Sequence, residues 1–149
     1  MLKSQSIIKK KGRKMRVVLD TNVIVSAFLS PAGKPAIILS LALRGDLIIC
    51  FNTAILAEYE EVLSRCKFAG RVHRPAFVRF FELVYKFGVN ENPIPRKIHL
   101  PDETDRKFYD VAKATDAILI TGNTRHYPNE PFIKDPSGFL LLLSQLENN

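Results

Sequence analysis

Short apolar runs alternate along this chain with longer stretches of helical periodicity, and that alternation constrains the fold more than any other feature. Residues 16–19, Arg-Val-Val-Leu, read as a short buried strand ending at Asp20. A helix follows from Val23 to Leu29, stopped by Ser30, Pro31 and Gly33. Pro35 suits the first turn of a second helix running to about Arg44. Gly45-Asp46 turns the chain into a strand, Leu47 to Phe51. Asn52 or Thr53 caps a third helix, Ala54 to Arg65. Gly70 breaks the chain, and Arg74 to Phe87 form an aromatic-rich fourth helix. Residues 88–101, with three prolines, read as a strand and an irregular connection. Asp102 caps a helix through Thr115; Ala117 to Thr121 is a buried strand; Phe132-Ile133 is a last short strand; Ser137 to Leu146 is a final helix.

No Asn-Gly hairpin signal interrupts this order. Continuous apolar strands separated by helices imply a parallel sheet with both faces covered. The expected fold class is therefore α/β, in one domain. The apolar runs are too short for a membrane span, and two isolated cysteines, Cys50 and Cys66, make neither a disulfide framework nor a zinc site. A reducing cytoplasm is the expected setting. The formal net charge of +7 is concentrated in residues 1–14, where Lys3, Lys9, Lys10, Lys11, Arg13 and Lys14 occur with no acid. Residues 15–149 hold the other 16 basic side chains against 15 acidic ones. The first 14 residues read as a disordered basic extension, or as the consequence of a start upstream of Met15. A nucleic-acid tail is the competing reading.

Ligands of open parallel sheets bind beyond the carboxyl ends of the strands. That edge collects Asp20, Thr21 and Asn22 after the first strand and Thr121, Gly122 and Asn123 after a later one. Asp116 lies at the other end of that later strand, roughly 16 Å away at about 3.3 Å per residue, and reads as structural. On the helix after Asp102, Asp105 shares a face with Phe108, Tyr109 and Ala112, whereas Asp110 points the opposite way. A core-side carboxylate needs a partner, although a first-turn acid can simply serve the helix dipole. On the third helix Glu61 opposes the stripe Ile55, Leu56, Tyr59, Val62 and Leu63. Glu58 and Glu60 border that stripe on either side, and periodicity does not choose between them. Carboxylates converging from distant positions suit the hard cations Mg2+ and Mn2+, which activate water at a phosphodiester. His73, His99 and His126 have no ligand spacing, and no nucleophile elbow, Cys–His pair or Gly-rich phosphate loop competes.

Taken together, Val17-Val18-Leu19-Asp20-Thr21-Asn22-Val23, Ile55-Leu56-Ala57-Glu58 with Val62-Leu63, Asp102-x-x-Asp105-x-x-Phe108 to Ala112, and Asp116 to Asn123 followed by Arg125-His126-Tyr127-Pro128 resemble the PIN-domain ribonucleases. The resemblance spans residues 15–149 and is nearest to prokaryotic PIN proteins described as toxins of toxin–antitoxin pairs. It implies a three-layer α/β/α sandwich around a parallel sheet of strand order 3-2-1-4-5, and an endoribonuclease dependent on Mg2+ or Mn2+. It implies Asp20, Glu58 and Asp105 as metal ligands, with Asn123 in a fourth site position where many relatives carry an acid. It thereby selects Glu58 over Glu60. Asn22 and Thr121 are expected to support the ligands, and Arg125 and His126 to meet the scissile phosphate.

Between residues 62 and 81, Arg65, Lys67, Arg71, Arg74 and Arg79 interleave with Phe68, Phe77, Phe80 and Phe81. That mixture suits single-stranded RNA, or else the phenylalanines are core and the arginines ordinary surface. Expected partners are single-stranded RNA, a cognate antitoxin protein and a second copy of the chain, with no membrane. Two other functions compete: a binding module that cuts poorly, as Asn123 allows, and a small-molecule phosphatase. The missing Gly-rich loop and the lack of an Asp-x-Asp pair argue against the phosphatase.

Overall fold

The central strand is the one that ends at Asp20. In the computed structural model, which describes residues 9–10, 13–65, 70 and 72–148, it runs Arg13–Leu19. We number it β2, because Lys9–Lys10 forms a two-residue strand, β1, antiparallel to its start. Arg13 and Lys14 thus belong to the sheet, not to the basic extension expected over residues 1–14. Their charge hid them because a strand's first residues lie at the rim, outside the apolar core. Lys9–Lys10 of that extension form β1, and residues 1–8 and 11–12 lie outside the described residues.

The other strands are β3 (Leu47–Phe51), β4 (Val89–Asn90), β5 (Ile118–Ile120) and β6 (Ile133–Lys134). They lie parallel in the order β4-β3-β2-β5-β6. Setting β1 aside, this is the expected order 3-2-1-4-5. Val17 pairs with Ile49 on one side and with Ile118 on the other. Successive strand residues point to opposite faces, and Val17, Val18 and Leu19 are all at most 1% exposed. Both faces of the sheet are therefore covered, which makes the three-layer α/β/α sandwich.

The covering helices are α1 (Thr21–Leu29), α2 (Lys34–Leu43), α3 (Thr53–Leu63), α4 (Arg74–Phe87), α5 (Arg106–Thr115) and α6 (Pro136–Glu147). Asn52 caps α3 by accepting the Ile55 N–H at 2.8 Å. Ile55, Leu56, Tyr59 and Leu63 of α3 are buried as the apolar stripe requires. No single described helix is long and apolar enough to cross a membrane. The bent pair α1 and α2, broken by 97°, is apolar because it packs within the core.

One local expectation is corrected. The helix expected from Asp102 through Thr115 is split into a 3-10 turn, Glu103–Asp105, and α5. Asp102 caps the turn, accepting from the Thr104 N–H at 3.0 Å and the Thr104 hydroxyl at 2.7 Å. Phe77 and Phe80 are buried and Phe81 packs on them, with Phe28 and Tyr59 as further ring neighbours. Phe77 and Phe80 are therefore core, as the second of the two readings has it, and burying such a ring stabilises the fold by about 1.5–3 kcal/mol; Phe68 lies outside the described residues. Asp110 points away from the Asp105 face but is buried, accepting the Arg96 N–H at 3.3 Å beneath the 94–98 connection. Asp116 caps α5 with a left-handed φ of 55° and is exposed, as its structural reading requires.

Candidate active site

Strand β2 delivers Asp20 to the carboxyl edge of the sheet, where its backbone N–H donates to Ile120 O at 2.9 Å. The side chain is 7% exposed. Its Oδ2 accepts from the Thr121 hydroxyl at 2.8 Å and from the Tyr127 hydroxyl at 3.0 Å. Thr121 in turn accepts the Asn123 N–H at 3.1 Å, so one hydroxyl ties Asn123 to Asp20. Asn22 Oδ1 accepts the Gly122 N–H at 3.0 Å and joins α1 to the end of β5. Thr121 thus bonds the Asp20 carboxylate directly, whereas the Asn22 side chain holds the backbone after β5.

Two more acids arrive from helices. Glu58 on α3 accepts the Thr21 hydroxyl through Oε2 and pairs through Oε1 with Lys107 Nζ at 2.8 Å. Glu60, its rival on the helical wheel, is exposed and lies with Phe77 and Val78 on the outer side of α3 and α4. Asp105 closes the 3-10 turn. That turn is fixed to the preceding connection by Arg106, which bonds Glu103, Arg96 O and Ile98 O. Asp105 Oδ2 lies 3.2 Å from His126 Nδ1, and His126 Nε2 lies 2.9 Å from Asn123 Nδ2. A histidine that accepts from the Asn123 amide at Nε2 donates from Nδ1 to Asp105, and that tautomer satisfies both contacts.

The charges of these acids act on one another. Burial, the largest cause, pushes the Asp20 carboxyl above its ordinary value, and the charge of Glu58 adds to this. Asp105 is raised by burial and then by the charges of Asp20 and Asp102. Tyr127 is raised by burial and by Asp20, Asp105 and Glu58, so its hydroxyl stays a proton donor. Three carboxylates from three elements therefore share one neighbourhood around Tyr127. Lys107 compensates Glu58, and a bound cation would compensate the like charges of Asp20 and Asp105.

The donor set is oxygen only, which suits Mg2+ or Mn2+. Among the described residues no three of His, Cys, Asp and Glu close on a common point. Glu58 and Asp105 face Lys107 and His126, so the acids fit a hard cation by chemistry and by charge without forming a finished cage.

The outer residues divide. His126 touches the site and Arg125 is exposed beside it. Arg74 lies over the Phe77 ring at 5.2 Å on α4, and no contact among the described residues joins it to Asp20, Glu58 or Asp105. Arg71 lies outside the described residues. Lys107 was not singled out by sequence reasoning, and Thr21, placed at the carboxyl edge, and Tyr127, within the quoted motif, were given no partner there. Their partners lie 49, 37 and 107 positions away, and no local periodicity signals such pairs.

The comparisons agree with the fold. The chain is 32% identical over 116 residues to the uncharacterized protein MJ1680 of Methanocaldococcus jannaschii, covering 74% of this chain and 72% of that one. Its fold is similar to the crystal structure of PAE2754 from Pyrobaculum aerophilum, with a TM-score of 0.55, 16% identity and coverage of 91% and 90% of the two chains. The PIN domain family model matches residues 16–125, a span that holds Asp20, Glu58, Asp105 and Asn123. PIN domains are generally nucleases and typically use divalent metals. With the sheet order, the acid-lined carboxyl edge and this match in agreement, the chain belongs to the PIN domain family.

Proposed function

We propose that the protein is a divalent-metal-dependent endoribonuclease that hydrolyses phosphodiester bonds of single-stranded RNA. One observation carries this reading: Asp20, Glu58 and Asp105 lie near one another at the carboxyl edge, where burial raises the Asp20 and Asp105 carboxyls, the charge of Glu58 adds to the first and the charges of Asp20 and Asp102 add to the second. A bound Mg2+ or Mn2+ supplies Lewis-acid activation of water and neutralises charge at phosphorus. Asp20 and Asp105 hold the ion. Thr121 and Tyr127 fix the Asp20 carboxylate by donating to one oxygen. His126 orients Asp105, and exposed Arg125 offers a guanidinium to the phosphate.

Asn123 favours a second reading, a PIN module that holds RNA but cuts slowly, because an amide there adds no charge for metal. The two are separated by incubating unstructured RNA with the full chain in Mn2+, in Mg2+ and in EDTA. The nuclease reading requires internal cleavage that depends on the metal and is absent in EDTA. RNA retained on the protein but uncut in all three conditions refutes it. Turnover of p-nitrophenyl phosphate without RNA cleavage would point to a phosphatase. A toxin role in the cytoplasm extends the same proposal. It requires that expression arrest growth, that Asp20→Asn relieve the arrest, and that a cognate antitoxin bind the chain or its dimer.

A further inference from the structure

Lys107 is a cation built into the candidate site. Its Nζ lies 2.8 Å from Glu58 Oε1, donates to Thr104 O at 2.5 Å and stands 4.8 Å from the centre of the Phe108 ring. The side chain is 18% exposed, unusually sheltered for a lysine, yet still open to solvent. Three groups from α3, the 3-10 turn and α5 thus hold one ammonium two residues after Asp105. Asp20, Glu58 and Asp105 carry three negative charges and Lys107 cancels one; Asp102, whose charge also reaches Asp105 and Lys107, is exposed and screened by solvent, so the sheltered remainder matches a single divalent ion. Asn123 adds no further charge. A second divalent ion would need the Glu58 oxygen that Lys107 already holds.

We propose that Lys107 takes the place of a second metal: the site binds one divalent ion at Asp20 and Asp105, and the ammonium beside Glu58 is the second positive centre for the phosphate of RNA. This rests on the metal-dependent reading above. It assigns Glu58 the task of positioning Lys107 and makes Lys107 a direct contact to substrate.

The test titrates Mn2+ calorimetrically into the full-length parent, Lys107→Met, Lys107→Gln and Lys107→Arg, each first stripped with EDTA, and follows RNA cleavage against Mn2+ concentration. Methionine keeps the packing on Phe108, and glutamine can still donate to Thr104 O, so two neutral variants guard against a folding defect in either. The parent and the arginine variant should each bind one Mn2+. Both neutral variants should gain a second, weaker Mn2+ and cleave at least tenfold more slowly at low Mn2+, with recovery as the second site fills. Two ions in the parent, or one ion in the neutral variants with cleavage that high Mn2+ does not rescue, overturns the role of Lys107 and leaves the nuclease reading standing. No Mn2+ bound by the parent overturns both.

Discussion

Asp20→Asn keeps the size of a buried side chain and removes a charge, so its consequences follow from the environment of Asp20. An amide oxygen can still accept from Thr121 and Tyr127. Each bond weakens from about 1.5–3 kcal/mol for a charged acceptor toward about 0.5–1.5 kcal/mol for a neutral one. Against this, the folded-state carboxyl is raised even with both bonds in place, so burial and the Glu58 charge outweigh them. A carboxyl raised in the folded state destabilises the fold above its folded pKa. The penalty fades as pH falls through that pKa toward the ordinary value of 3.8. The metal-free variant should therefore match or exceed the parent in stability at pH 7, and the gap should close on acidification. With Mn2+ the order reverses. At a concentration 100 times Kd, binding stabilises the parent by about 2.7 kcal/mol. For a domain of this length that raises Tm by about 5–11 °C. The variant should show almost none of this rise and should not cleave RNA. The assay is a thermal melt in EDTA and in Mn2+ at pH 7 and near pH 4, with a cleavage time course beside it. Loss of the fold in EDTA would make Asp20 structural, and an undiminished Mn2+ shift would remove it from the ion.

Asn123→Asp adds a carboxylate beside Asp105 and its partner His126, so the metal-free Tm should fall while Mn2+ raises Tm more in the variant than in the parent; equal rises would place residue 123 outside the metal site. Tyr127→Phe keeps the buried ring but removes one donor to Asp20 Oδ2, which should cost about 1–3 kcal/mol in urea unfolding and slow cleavage several-fold; unchanged cleavage would show that Thr121 suffices to hold Asp20. Gly88→Ala tests the fold alone. Its Cβ would stand 2.5 Å from Val84 O and 2.8 Å from Ile49 O, a clash of the methyl group with backbone oxygens that should cost about 1–3 kcal/mol while the folded fraction keeps its metal response.

The central strands β3 and β5 and the end of β2 were legible because they are largely buried and read as apolar runs, and the edge rule then put Asp20 and Asn123 at the carboxyl edge. The start of β2 was not legible, because Arg13 and Lys14 lie in a charged stretch and their partner strand β1 is equally basic. Helical periodicity put Asp105 on the core side, and its side chain is sheltered at 15% exposure although the helix proper begins one residue later. Glu58 and Glu60 were equivalent by periodicity. Thr21 and Lys107 break the tie by bonding Glu58, and those bonds exist only once α1, α3 and α5 have packed. The phenylalanines of α4 show the reverse problem. A core-facing ring and a base-stacking ring have the same spacing in sequence, and only the burial of Phe77 and Phe80 distinguishes them.

The central claim is that the acids at the carboxyl edge hold a divalent ion. A crystal of the full chain soaked in Mn2+, with anomalous scattering recorded at the manganese edge, tests it directly. The account predicts one strong peak bonded to carboxylate oxygens of Asp20 and Asp105, with Tyr127 still donating to Asp20 and Lys107 still paired with Glu58. A peak elsewhere on the surface, or saturating Mn2+ with none between Asp20 and Asp105, would contradict it.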